Sequence, residues 1–182
     1  VKCIIGLGNP GATYAKNYHN IGLIFARWYA EFVGMYPGST SFKRVIQEAS
    51  KPAYDLKKYE NFYLIFPKEY MNLSYKSLLP IVSLYKIPPH KILVLHDELM
   101  KKRGILQVKN GGGNAGHNGL RGISEHIGND FSRLQIGIDH PRNLGLEGTV
   151  SSYVLSDVFD LDFYRKLFEE KGVNLIENWL KS

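Results

Sequence analysis

Short runs rich in Val, Ile and Leu alternate along this chain with longer segments whose apolar residues recur every three or four positions. That alternation restricts the fold more than any other feature, because strands separated by helices assemble into an α/β sheet with helices on its faces. Lys2 to Leu7 reads as a buried strand, and within Asn20 to Val33 the residues Ile21, Phe25, Trp28, Tyr29 and Phe32 have helical spacing. Shorter alternating runs at Phe42 to Ala49, Ala53 to Lys57 and Phe62 to Phe66 predict antiparallel or mixed pairing. Leu73 to Tyr85 reads as a helix with Asn72 as its N-cap and a kink or early stop at Pro80. Lys91 to Leu95 is the cleanest central strand. Strands at Ile105 to Lys109 and Leu134 to Ile138 follow it, with a short helix at Leu120 to Ile127 between them. Val158 to Leu180 is amphipathic and should pack on the sheet, with a break expected at Gly172. Gly34 to Ser41 and Arg142 to Val150 read as mobile loops rather than linkers. A chain of 182 residues then makes one α/β domain, a twisted mixed β-sheet flanked by helices.

Composition narrows the function classes. With 44% apolar and 22% charged residues the chain is neither a disordered tail nor a membrane protein. Its longest apolar stretches, such as Ile92 to Leu95, fall far short of the ~18 residues a span needs. Val1 and Lys2 lead straight into a strand without a charged leader, so a cytosolic location is expected. The lone Cys3 excludes an internal disulfide and a zinc ribbon. A net charge of +6 and a pI near 9.3 favour a polyanionic partner, nucleic acid first, although a solvated lysine surface fits the charge equally well.

The glycines gather in two places. Gly6-Leu7-Gly8-Asn9-Pro10-Gly11 matches G-x-G-x-x-G after a strand. A dinucleotide turn, however, presents backbone N–H groups at a helix start, whereas Pro10 has none and the helical pattern begins only near Asn20. The intervening polar and aromatic loop, which ends in His19-Asn20, has the length of a site loop. The second cluster runs from Lys109 to Leu120 and lacks the Gly-Lys-Ser/Thr ending of a phosphate-binding loop, leaving either a close ligand approach or a flexible turn. His96-Asp97-Glu98 ends the central strand, where α/β sheets place their ligand crevice. No H-E-x-x-H and no second His or Cys at ligand spacing supports a metal, and no serine stands in G-x-S-x-G. Hydrolysis by this chain would have to use water directly.

Taken in order, Gly6 to Gly11, Tyr14, His19-Asn20, Tyr70-Met71-Asn72-Leu73-Ser74, His96-Asp97-Glu98-Leu99, Gly116-His117-Asn118-Gly119-Leu120, Arg133-Leu134, Gly137-Ile138 and Tyr153-Val154-Leu155 resemble the motif blocks of the bacterial peptidyl-tRNA hydrolase family. The resemblance implies cleavage of the ester between a nascent peptide and tRNA, with peptidyl-tRNA as partner, no cofactor, no metal, and a monomer in the cytoplasm. It makes His19 the general base, Asp97 its orienting partner, and Asn9 the sensor of a blocked α-amino group. Asn72 and Asn118 would bind substrate, and Tyr14 and Tyr70 would contact the acceptor end or the peptide. A carboxamide donates and accepts without titrating, so each asparagine is also suited to an oxyanion or a water. The family also contains intron-splicing relatives, which keeps a non-catalytic RNA-binding protein on the same fold as the alternative.

The chain departs from the family pattern at several points. Asn17-Tyr18 replaces Thr-Arg ahead of His19, which removes a positive charge expected beside the site. Met100, Lys101 and Lys102 replace Asp, Leu and Pro, Tyr75 replaces a glycine, and Gln135 replaces the second arginine of an Arg-Leu-Arg run expected to grip phosphate. Lys109 and the Lys101-Lys102-Arg103 turn are left to supply that charge.

Overall fold

The computed structural model describes residues 1–35, the backbone of Val45–Gln47, and residues 54–182. The described strands are β1 (Lys2–Gly6), β2 (Val45–Gln47), β3 (Tyr54–Lys58), β4 (Phe62–Pro67), β5 (Ile92–Glu98), β6 (Leu106–Asn110) and β7 (Ser132–Gly137). They form one mixed sheet in the order β2-β3-β4-β1-β5-β7-β6. β4, β1, β5 and β7 are mutually parallel. Antiparallel pairing extends both flanks, β3 on β4 and β2 on β3 at one side, β6 on β7 at the other. Of the parallel strands, β4, β1 and β5 carry unbroken apolar runs because both of their faces are covered. Ile4, Leu93, Leu95, Leu134 and Ile136 pack under α1 (Ile21–Met35) and the C-terminal helices. Cys3, Ile5, Ile92 and Val94 pack under α2 (Tyr75–Leu84) and α3 (Asn118–Ile127).

Several expected boundaries move for identifiable reasons. Asn72 is not a helix cap: it is exposed within a 3₁₀ turn, Met71–Leu73, and α2 begins only after Ser74. Pro80 lies inside α2 without ending it, and the helix runs on to Leu84. α3 starts at Asn118, two residues before the apolar pattern signals it, because the His117 side chain accepts the Leu120 N–H as an N-cap. Gly172 does not break the C-terminal helix. A π-helical turn, Phe168–Gly172, joins α5 (Leu161–Leu167) to α6 (Val173–Lys181), and a Cβ at Gly172 would lie 2.9 Å from the Phe168 ring. The Arg142 to Val150 segment holds a 3₁₀ turn, Pro141–Leu144, and the Thr149/Ser152 capping box that opens α4 (Val150–Val154). Gly34 belongs to α1, and residues 36–41, like most of the predicted Phe42 to Ala49 strand, lie outside the described residues.

The topology fixes where a site can form. The chain leaves β1 toward the β4 side of the sheet and leaves β5 toward the β7 side, so a crevice opens where the adjacent C-terminal ends of β1 and β5 meet. α1 crosses there in close contact. A Cβ on Gly22 would stand 2.0 Å from the Leu95 carbonyl oxygen, so only glycine permits this approach of helix to strand.

Candidate active site

A cleft of about 820 Å³ opens at that point, with Asn9 and His19 on the β1 side, Asp97 and Met100 at the end of β5, and α3 and α4 as facing walls. Its floor is the Asp97 carboxylate, only 4% exposed. His19, on the 3₁₀ turn Tyr18–Asn20 that leads into α1, places Nδ1 3.0 and 3.1 Å from the two Asp97 oxygens. His117 reaches the same carboxylate from the start of α3, with Nε2 2.8 Å from Oδ1. His117 is the functional residue that the sequence reading leaves without a role.

Hydrogen-bond bookkeeping assigns the protons. The His117 Nδ1 accepts the Leu120 N–H, so its ring proton sits on Nε2 and is donated to Asp97. Burial disfavours the Asp97 anion, but the two imidazoles that face it outweigh burial and hold its carboxyl far below the usual carboxylate range. An ionised Asp97 only accepts, so His19 donates through Nδ1 and its Nε2 lone pair is left for the cleft. Burial pulls the His19 pKa down, yet the charge and hydrogen bond of Asp97 push it further up, for a net rise above its ordinary value. His96 lies beneath, its Nδ1–H donated to the Asp97 backbone carbonyl at 2.8 Å, and burial drives its pKa down to about 3. It is a neutral, buried packing residue.

Sequence spacing offers no second His or Cys at ligand distance from His96-Asp97-Glu98, but the fold brings His19 and His117 onto the same carboxylate. Ligand atoms of His19, Asp97 and His117 lie within 4.8 Å of one another, a spacing that could also hold a metal ion. A cation on those atoms would have to displace both imidazole N–H protons that now satisfy the carboxylate.

Asn9 is locked by its neighbours. Its backbone N–H donates to Asn20 Oδ1 at 2.8 Å, and its own Oδ1 accepts the Met71 N–H at 2.7 Å, which fixes the carboxamide at the cleft wall. Asn72 and Asn118 both line the cleft, from the 3₁₀ turn Met71–Leu73 and from the start of α3 packed against it, with the Asn118 Oδ1 engaged by Arg121 at 2.6 Å. Tyr70, 55% exposed, stands at the rim, and Tyr14 meets it edge-on with ring centroids 6.2 Å apart without lining the cleft itself. Lys109 also lies outside the cleft, exposed on the edge strand β6 beside Gly112.

The departures from the family pattern land elsewhere than expected. Asn17 and Tyr18 face away from the cleft: Asn17 donates to Asp157, and the Tyr18 ring stacks on Tyr153. No charge is thus missing from the cleft wall at these positions. Gln135 is 8% exposed and donates to Glu98, so the change there is a buried contact and not a lost surface clamp. Arg133 is buried as well, with Nη2 on the Gly112 carbonyl and its guanidinium over Phe131. Within the basic turn, Arg103 pairs with Asp160 at 3.6 Å and covers the Phe163 ring.

The G-x-G-x-x-G reading also fails in structure, since turns rather than a helix follow Gly11. What fold and cleft define is an α/β protein that sets an imidazole–carboxylate pair, with no serine or cysteine hydrogen-bonded to the imidazole among the described residues, at the topological switch point of its sheet. A sequence model of the family described as "Peptidyl-tRNA hydrolase" matches residues 3–181, and the chain belongs to that family. A protein of that name from Cereibacter sphaeroides is 41% identical over 162 residues, which is 89% of this chain and 68% of the relative. One from Acinetobacter baumannii is 40% identical over 156 residues, 85% of this chain and 76% of the relative. Among solved structures, peptidyl-tRNA hydrolase from Acinetobacter baumannii superposes with a TM-score of 0.79 at 34% identity, covering 100% of this chain and 87% of that one. A complex of peptidyl-tRNA hydrolase with N-propanol gives 0.82 at 33% identity, covering 100% of this chain and 89% of the other.

Proposed function

We propose that this chain hydrolyses the ester of peptidyl-tRNA by a water molecule that His19 activates. The observation that carries the reading is the His19–Asp97 pair at 3.0 Å, which leaves Nε2 of His19 directed to the cleft. In the proposed reaction Nε2 takes a proton from water as the oxygen attacks the ester carbonyl carbon. Asp97 holds the tautomer and stabilises the imidazolium, with His117 keeping the carboxylate in place from its other side. The Asn9 NH₂ is the donor best fixed for the developing oxyanion. Collapse expels the ribose oxygen, which takes the proton back from His19 and leaves as free tRNA. Asn72 and Asn118 hold the peptide backbone, Tyr70, backed by Tyr14, receives the acceptor end, and Lys109 meets the tRNA backbone. The scheme needs one copy of the chain and neither cofactor nor metal, and its substrate places it where translation runs.

Intact chemistry at His19 and Asp97 speaks against a purely RNA-binding role. Incubation with N-acetylated and with free aminoacyl-tRNA tests the assignment: the first should be hydrolysed and the second largely spared. His19→Ala should lower turnover at least ~10²-fold with tRNA affinity nearly unchanged. Near-normal turnover in that variant would remove His19 from the mechanism.

A further inference from the structure

α4 is five residues long, too short to hold its own shape, yet it supplies a wall of the cleft through Val150, Ser151 and Val154. Its opposite face carries Tyr153, and that ring stacks on Tyr18 with centroids 4.8 Å apart and planes 24° from parallel. Tyr18 is the residue immediately before His19 on the same 3₁₀ turn. The stack is one strand of a tight seam. The Tyr18 N–H donates to the Ser156 carbonyl at 3.1 Å, the Val158 N–H to the Lys16 carbonyl at 2.8 Å, and the Asn17 amide to Asp157 at 2.9 Å. The Tyr18 hydroxyl accepts the Phe159 N–H at 3.2 Å. Tyr153 is anchored in turn, its hydroxyl donating to the Ile138 carbonyl just beyond β7. Only 8% of Tyr18 is exposed, so the ring serves this seam and not the substrate.

We infer that Tyr18 is a positioning residue: its stack on Tyr153 fastens the α4 wall of the cleft to the turn that carries His19, so that substrate and base are held in one geometry. The inference rests on the hydrolytic reading for its effect on turnover, but its structural half stands apart from it. Two aromatic rings make a rigid link at low entropic cost, and a bulky aliphatic side chain would fill the space without fixing its orientation. Both ends of the link bear on the reaction. A displacement of about 1 Å at a reacting group can cost ~10² in rate, so a partial loosening should cost about tenfold.

The test compares Tyr18→Leu, Tyr18→Phe and Tyr153→Leu in the full chain, with kcat and KM for N-acetylated aminoacyl-tRNA taken per folded molecule. Tyr18→Leu should lower kcat about tenfold and raise KM, Tyr18→Phe should restore most of both, and combining Tyr18→Leu with Tyr153→Leu should add little to either alone. Amide hydrogen exchange supplies the arm that does not depend on activity: Tyr18→Leu should speed exchange at Ser156 and Val158 while β1 and β5 stay protected. A wild-type chain inactive on that substrate would refute the hydrolytic reading and leave the exchange arm to decide the seam. A folded Tyr18→Leu variant with kcat and KM within twofold of wild type, or with unchanged exchange at Ser156 and Val158, would overturn the inference.

Discussion

Gly22→Ala probes how closely the base depends on the packing of α1 against β5. A Cβ at this position would lie 2.0 Å from the Leu95 carbonyl oxygen and 2.6 Å from its carbon, where ordinary contact begins near 3.4 Å. The oxygen cannot step aside, because it accepts the Leu7 N–H at 3.0 Å in the β1–β5 ladder. The start of α1 must therefore retreat by roughly 1 Å or more, a strain of ~1–3 kcal/mol that the ~1 kcal/mol helix preference of Ala over Gly partly offsets. The net loss of stability should be small, about 0–2 kcal/mol. Turnover should suffer far more. His19 sits on the turn feeding α1, and moving that turn stretches its 3.0 Å bond to Asp97 beyond hydrogen-bond range. A misplacement of that size costs ~10² in kcat/KM. It also removes the influence that holds the His19 pKa above its ordinary value, so the acid limb of the pH–rate profile should shift to lower pH. Thermal unfolding and steady-state hydrolysis across pH measure the three effects. A folded variant with kcat/KM within threefold of wild type and an unmoved acid limb would refute the argument.

Three further outcomes follow from the same geometry. Asp97→Asn offers one acceptor oxygen and an NH₂ where the carboxylate accepts from both His19 and His117, so turnover should fall steeply and the acid limb should move down in pH; an unchanged rate and profile would count against the pair. His96 takes no proton in the folded chain until about pH 3 but binds one near pH 6.5 when unfolded, so it makes stability fall with pH below 6.5, by up to about 1.4 kcal/mol per pH unit. His96→Leu should lose that component, which denaturant titrations of both proteins between pH 6.5 and 5 would detect as a shallower slope; parallel slopes would sink the claim. Lys109→Gln should weaken binding of full-length peptidyl-tRNA and lower the salt slope by about one phosphate's worth, while a short ester lacking the tRNA body is cleaved as before.

What was legible in the sequence divides along physical lines. β1 and β5 announce themselves because burial on both faces demands unbroken apolar runs, and the glycine of α1 that lets helix and strand touch lies inside an otherwise regular pattern. His19 and Asp97 are readable from the motif order, although 78 positions separate them and only the β1–β5 adjacency joins them. His117 stands in the Gly116-His117-Asn118-Gly119-Leu120 block too, but nothing in spacing says that the start of α3 lies beside Asp97; the available signal was that a strand-to-helix loop at the carboxyl edge of the sheet opens onto the same crevice. The α2 start was blurred by the ordinary uncertainty of element ends, and Asn72 looked like a cap because its type favours caps.

Charge was the hardest feature to read, and β7 shows why. Arg133 and Gln135 alternate with Leu134 and Ile136, a pattern that in a half-exposed strand would put both polar residues in water. β7 instead has β5 and β6 on its two edges and is covered on both faces, so alternation distinguishes one buried environment from another. Arg133 is spent on Phe131 and the Gly112 carbonyl, and Arg103 on Asp160 and Phe163. The net charge of +6 therefore overstates what any one face offers to a polyanion. Lys109 is exposed on the edge strand next to the glycine loop whose other end lines the cleft, and we propose it as a cation that converts that charge into a phosphate contact. If the salt slope of binding is indifferent to Lys109, the electrostatic term must come from another surface, and the path of the tRNA across β6 would have to be abandoned.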